Sequence, residues 1–90
     1  MFKDKTLLIT GGTGSFGSTF LNRFVNSDIG EIRIFSRDEK KQEDLRLSHR
    51  SNKIVFHIGD VRDISAVRSA VQGVDFIFHA AALKLSLIHI

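Results

Sequence analysis

Short apolar runs alternate along this chain with stretches in which apolar residues recur at helical spacing. Residues 5–10 (KTLLIT) form one such run, ending at a cluster of glycines, as a buried parallel strand does. Behind the glycines, Phe16, Phe20 and Phe24 repeat at four-residue spacing with Leu21 and Val25 beside them, which makes one face of a helix apolar. Asn26, Ser27, Asp28 and Gly30 then break the pattern. Residues 31–35 (EIRIF) carry the β-branched and aromatic side chains of a second strand, and the charged stretch 38–50 predicts an exposed helix. Residues 53–58 (KIVFHI) predict a third strand, Ile64, Val67 and Val71 a third helix, and residues 74–79 (VDFIFH) a fourth strand.

Strands that alternate with helices imply a parallel sheet joined by right-handed crossovers. The expected class is therefore α/β: a truncated Rossmann half-domain, part of a doubly wound parallel sheet with strand order 3-2-1-4. The first two helices should cover one face and the third helix the other, because the crossover direction reverses after the third strand. The second face is then expected to be poorly covered, and the chain alone to expose apolar surface and to associate.

Composition narrows the class. With 42% hydrophobic and 26% charged residues in 90, the chain suits a single globular unit. The run Leu7-Leu8-Ile9 is far too short for a signal-peptide core or a membrane span, so a cytoplasmic location is the default and no membrane partner is expected. There is no cysteine, hence neither a disulfide framework nor a thiolate metal site. The formal charge of +3 is mild and its cations are scattered, which argues against nucleic acid and suits a small phosphorylated ligand.

That ligand has an obvious place. The segment TGGTGSFG at 10–17 joins the first strand to the first helix, where a dinucleotide pyrophosphate binds. Gly11 and Gly12 permit a tight turn, Gly14 lets the backbone approach the phosphates, and Gly17 lets helix and strand pack closely. The helix N-terminus offers free N–H groups and a positive dipole end, and Thr13 and Ser15 offer hydroxyls. In isolation the motif is equally a plain strand-to-helix turn. No Lys-Ser or Lys-Thr follows the last glycine, so a P-loop is disfavoured.

About 20 residues further on, the second strand of such folds ends in an acidic residue for an NAD ribose or a basic one for an NADP phosphate. Here Ser36-Arg37-Asp38 stands there. Arg37 can meet a 2′-phosphate with its planar fork and Lys41 can add a point charge, so NADP is favoured, while Asp38 keeps NAD open. Ser36 and Glu39 also match a capping box, which would make these residues a helix start. Asp60 closes the third strand, where its carboxylate can accept from an adenine amino group or equally cap a loop, with Val61 near the ring. Asp63 reads as a helix N-cap. Ala80, Ala81 and Ala82 are small enough to lie against a cofactor or simply to pack closely. His57 and His79 read as strand histidines, and His49 and His89 lack partners at metal-ligand spacing, so no metal site is expected.

Together, LLITGGTGSFG at 7–17, EIRIFSRDEKKQ at 31–42, GDVRD at 59–63 and HAAALK at 79–84 resemble the extended short-chain dehydrogenase/reductases. Within them they resemble the inverting UDP-N-acetylglucosamine 4,6-dehydratases of the polysaccharide biosynthesis protein family, which serve capsule, O-antigen or flagellin glycan synthesis. The resemblance implies NADP contacts at Gly11, Thr13, Gly14, Ser15, Phe16, Gly17, Ser36, Arg37, Asp38, Lys41, Asp60, Val61 and Ala80, and places Lys84 near the nicotinamide and the sugar. It implies a lyase reaction on a nucleotide-sugar substrate. Hydride leaves carbon 4 of the sugar, water is lost across carbons 5 and 6, and hydride returns to carbon 6, with NADP as carrier. The family's acid and base, an Asp-Lys pair and a Tyr, lie beyond residue 90, so catalytic residues are expected in a longer, homo-oligomeric parent and none in this chain. Residues 1–84 are expected to be the N-terminal part of the NAD(P)-binding domain. After Lys84 the family pattern of Gln, Val and Pro gives way to Leu85-Ser86-Leu87-Ile88-His89-Ile90, expected to be a non-native tail. A nucleotide-sugar 4-epimerase, or a non-catalytic NADP sensor on the same fold, would share everything before residue 90.

Overall fold

A computed structural model of the chain describes residues 2–10, 15–49, 51–79 and 87–89. The described elements run β1 (Thr6–Thr10), α1 (Ser15–Val25), β2 (Glu31–Ser36), α2 (Glu39–Ser48), β3 (Ile54–Ile58), α3 (Ile64–Val71), β4 (Phe76–His79) and β5 (Leu87–His89). They build one sheet of order β3-β2-β1-β4-β5, with the first four strands parallel. The expected 3-2-1-4 order and the α/β Rossmann class therefore hold, and four strands lie within two residues of their predicted limits.

The strands form where they do because both of their faces are covered. Leu7, Ile9, Ile32 and Ile34 face the side of α1 and α2, where Leu21 and Leu45 complete one core cluster. Leu8 and Phe35 face the opposite side and pack with Ala70 and Val74, alongside Ala66, Val67 and Val71 of α3. Leu7, Leu8, Ile9, Ile32 and Ile34 are each at most 2% exposed, and burying one such side chain is worth about 1.5–3 kcal/mol. This is the predicted distribution of helices. The second face is better covered than the sequence suggests at its centre, since Leu8 and Phe35 are both sealed by α3 and its exit loop. Exposed apolar side chains are found instead on the edge strand β3 (Val55, Ile58) and at Leu47, Val61 and Ile64.

Ile64 is a correction: it opens α3 and is 70% exposed, so the apolar face of that helix is made by residues 66, 67, 70 and 71 without it. A second correction concerns 38–50. The helix there is not exposed all round, because Gln42 and Leu45, three residues apart and hence on one face, are buried. The third is β5, which had no predicted counterpart: Leu87–His89 pairs antiparallel with β4 in the register Phe76↔His89. The side chains of Phe16 and Phe20 lie outside the described residues.

Polar groups fix the ends of the layers. Arg33 on β2 reaches the C-terminal end of α3, its Nη1 donating to the carbonyls of Ala70 at 2.9 Å and Gln72 at 2.6 Å. Lys53 does the same for α1, donating to the Val25 carbonyl at 3.5 Å and to that of Ser27, just past the helix, at 2.8 Å. A cation is favoured at both places because the last helical carbonyls carry partial negative charge. Just past α3, Gly73 has φ of +76°, a left-handed conformation that glycine adopts without a Cβ penalty.

Candidate functional site

Parallel pairing brings the C-terminal ends of the strands to one edge of the sheet. Thr10 lies level with Phe35 and His79, and Ser36 with Ile58. The chain therefore leaves β1, β2, β3 and β4 on the same side, and β1 sits between strands reached by crossovers of opposite direction. Open α/β sheets bind ligands at this edge.

The end of β2 and the residues after β2 and β3 line an open cavity of about 910 Å³. It is lined by Phe35, Ser36, Arg37, Asp38, Glu39, Lys41, Gly59, Asp60, Val61 and Arg62. Six residues singled out from the sequence thus meet here: Ser36, Arg37, Asp38, Lys41, Asp60 and Val61. Ser15, Phe16 and Gly17 form the first turn of α1, where only the backbone is described. Gly11, Thr13, Gly14, Ala80 and Lys84 lie outside the described residues, as do Gly12, Ala81 and Ala82.

Local hydrogen bonds set the shape of the lining. Ser36 is buried, and its Oγ accepts from the Asp38 N–H at 3.0 Å, turning the chain so that Arg37 stands 71% exposed over the cavity. Asp38, not Ser36, is the N-cap of α2: its Oδ1 accepts from the Lys41 N–H at 3.0 Å. The capping box expected between Ser36 and Glu39 is therefore absent. The helix starts two residues later than a cap at Ser36 would place it. Asp38 also pairs with the Lys41 ammonium at 4.0 Å. Asp63 caps α3 as expected, accepting from Ser65 and Ala66.

Three further features support the lining. Gln42, 2% exposed, donates its Nε2 to the carbonyl of Ser36 at 3.3 Å and of His57 at 3.0 Å, tying α2 to the ends of β2 and β3 directly behind the cavity. Gly59 continues the sheet ladder by donating to the Ser36 carbonyl at 3.0 Å. A Cβ on Gly59 would fall 2.9 Å from Cζ of Phe35, so only glycine lets the β3 exit lie this close to that ring.

The third feature is Arg62. Its backbone N–H donates to Oδ1 of Asp60 at 2.9 Å, while its guanidinium grips the same carboxylate through Nε at 3.1 Å and Nη2 at 2.7 Å. Arg37 Nη1 lies 3.6 Å from Oδ2 of Asp60. Hydrogen bonds from the Arg62 side chain, followed by that from its backbone, hold the Asp60 carboxyl well below the usual carboxylate range. The side-chain hydrogen bond to Asp60, followed by the charge of that carboxylate, pushes the Arg62 guanidinium up. Through the Arg62 N–H the Asp60 carboxylate closes its own turn. Arg62, Gln42 and Gly59 were not singled out from the sequence. The signals were a guanidinium two residues after a turn aspartate, and a glutamine three residues before a leucine.

Chemically, the cavity lining offers the guanidinium groups of Arg37 and Arg62 and the ammonium of Lys41, interspersed with the carboxylates of Asp38, Glu39 and Asp60, and an exposed apolar side chain, Val61. That donor set suits a phosphate carried on a flat, partly apolar body. Among the described residues no cluster of three or more His, Asp or Glu could hold a metal ion, and no helix is long and apolar enough to cross a membrane.

Residues 7–87 match the profile of a family described as polysaccharide biosynthesis protein. The chain is 62% identical to a UDP-glucose 4-epimerase of Rickettsia bellii (strain RML369-C), the match covering 93% of this chain and 26% of that protein. Its fold resembles the X-ray structure of Pen from Bacillus thuringiensis with a TM-score of 0.84 at 40% identity, covering 90% of this chain and 25% of that one. It also resembles the uronate dehydrogenase from Agrobacterium tumefaciens, with a TM-score of 0.68 at 25% identity over 84% of this chain and 26% of that one. The chain thus spans about a quarter of the length of these relatives.

Proposed function

This chain belongs to the polysaccharide biosynthesis protein family, and from that premise we propose that it is the NADP-binding portion of a nucleotide-sugar enzyme. The observation that carries the reading is the cavity beyond β2 and β3, whose lining includes Arg37, Lys41 and Arg62. NADP fits this donor set: the adenosine 2′-phosphate takes Arg37 and Lys41, and the adenine lies by Val61. When bound, NADP supplies a hydride carrier for the sugar. The chain's own residues bind and aim it. Arg37 presents a planar fork to the phosphate, Ser36 and Asp38 hold the turn that aims Arg37, and Gln42 keeps α2, and with it Lys41, against the sheet. The pyrophosphate falls to the segment 11–17 and the sugar side to Lys84, on the pattern of the sequence.

The finer reading is a UDP-N-acetylglucosamine 4,6-dehydratase serving bacterial surface polysaccharide, supported by SRDEKKQ at 36–42 and HAAALK at 79–84. A 4-epimerase is the second reading, favoured by the name of the Rickettsia bellii relative. Both begin with hydride removal at carbon 4. Incubating the full-length protein with UDP-N-acetylglucosamine and with UDP-glucose separates them by mass: loss of water marks the dehydratase, and an isomer of unchanged mass marks the epimerase. For the cofactor, Arg37→Ala removes a charge-assisted contact worth about 1.5–3 kcal/mol, so NADP affinity should fall about ten- to a hundredfold. NAD affinity should barely change. Equal loss for both would overturn the phosphate assignment.

A further inference from the structure

Asp60 presents a difficulty for a site that takes a phosphate. A carboxylate facing the same rim repels a dianionic phosphate and competes with it for Arg37, whose Nη1 is already 3.6 Å from Oδ2 of Asp60. The structure answers this with Arg62. Both carboxylate oxygens of Asp60 accept from Arg62, Oδ1 from the backbone N–H at 2.9 Å and Nε at 3.1 Å, Oδ2 from Nε at 3.1 Å and Nη2 at 2.7 Å. This fork-on-carboxylate geometry is the strong form of the contact. Asp38 is used in the same way, by the N-cap of α2 and by Lys41. With each aspartate engaged by a neighbour, Arg37 keeps N–H groups for a ligand.

We infer that Arg62 is a positioning residue for NADP selectivity: it acts as the counter-ion of Asp60, so that Arg37 is free to hold the ribose 2′-phosphate. The inference rests on the NADP-binding reading above. Arg62 acts through Asp60 and not by touching the phosphate. Removing Arg62 leaves Asp60 with Arg37 as its remaining guanidinium partner, draws that fork away from the ligand, and lowers the charge of the rim by one. Removing the Asp60 charge as well should undo the damage.

The test is a double-mutant cycle on the full-length protein, read as equilibrium affinity for NADP and for NAD by isothermal titration calorimetry. Arg62→Ala should weaken NADP by about tenfold or more and leave NAD nearly unchanged. Asp60→Asn/Arg62→Ala should bring NADP back to within about threefold of the parent protein. Arg62→Lys, which keeps the charge but loses the fork, should fall between parent and Arg62→Ala and serves if the alanine variant does not fold. If Arg62→Ala still costs NADP about tenfold in the Asp60→Asn background, Arg62 touches the phosphate itself and the counter-ion role is refuted. Equal weakening of NADP and NAD by Arg62→Ala also refutes it, while the NADP reading stands. A parent protein that does not prefer NADP overturns the NADP reading and this inference with it.

Discussion

Replacing Gly59 by alanine tests whether the close approach of the β3 exit to β2 shapes the cavity. The added Cβ would lie 2.9 Å from Cζ and 3.0 Å from Cε2 of Phe35, and 3.2 Å from Cβ of Ala66. Phe35 cannot swing aside easily. It is 2% exposed and packed with Leu8, Ala70 and Val74. Ala66 belongs to α3, so the new methyl would be pressed from two elements at once. Overpacking of this kind costs about 1–3 kcal/mol. A domain of this size loses roughly 4–8 °C of melting temperature per kcal/mol, so the midpoint should fall by at least about 4 °C. The strain can also be relieved by moving the loop that carries Asp60, Val61 and Arg62 outward, which would weaken NADP binding. Thermal denaturation followed by circular dichroism at low protein concentration, with an NADP titration in parallel, reads both effects. A Gly59→Ala protein that melts within 1 °C of the parent and binds NADP equally would refute the claim that this contact is tight.

Other consequences are tested more simply. Arg33→Ala should cost about 1–3 kcal/mol, seen as a lower urea midpoint, because the carbonyls of Ala70 and Gln72 lose their donor; Arg33→Lys should recover only part of it. Because the Asp60 carboxyl is held below its ordinary value, its contribution to stability is fully present above about pH 4 and is lost only in stronger acid. Stability profiles of the parent and Asp60→Asn should therefore run parallel from about pH 5 to 8 and converge below about pH 4, as the parent loses its advantage. Truncation after Lys84 removes β5 and opens the edge of β4, so light scattering should show increased association.

Most of the fold was legible because its signals are local. A strand buried on both faces must be apolar throughout, as TLLIT is, and a strand-glycine-helix junction announces its own position. β5 was not legible, since three residues without flanking turn signals do not reveal that the chain folds back antiparallel. The start of α2 was ambiguous for a different reason. Ser36 and Asp38 are both competent caps, and which one serves depends on where the chain leaves β2. Ile64 fits the helical period of α3 yet points to solvent, because the period fixes a spacing and not which residue of the first turn meets the sheet. At the site, Arg37, Asp38 and Lys41 could be found from their place after the second strand. Arg62 could not, because within the segment DVRD nothing marks one charge as the partner of another until the turn closes Asp60 onto it.

Whether the cavity beyond β2 and β3 selects a ribose 2′-phosphate is read from titrations of the full-length protein with NADP and with NAD under the same conditions at moderate salt. NADP should bind tighter by about tenfold or more, as one well-formed phosphate contact requires. NAD binding as tightly as NADP, or more tightly, would contradict that selection.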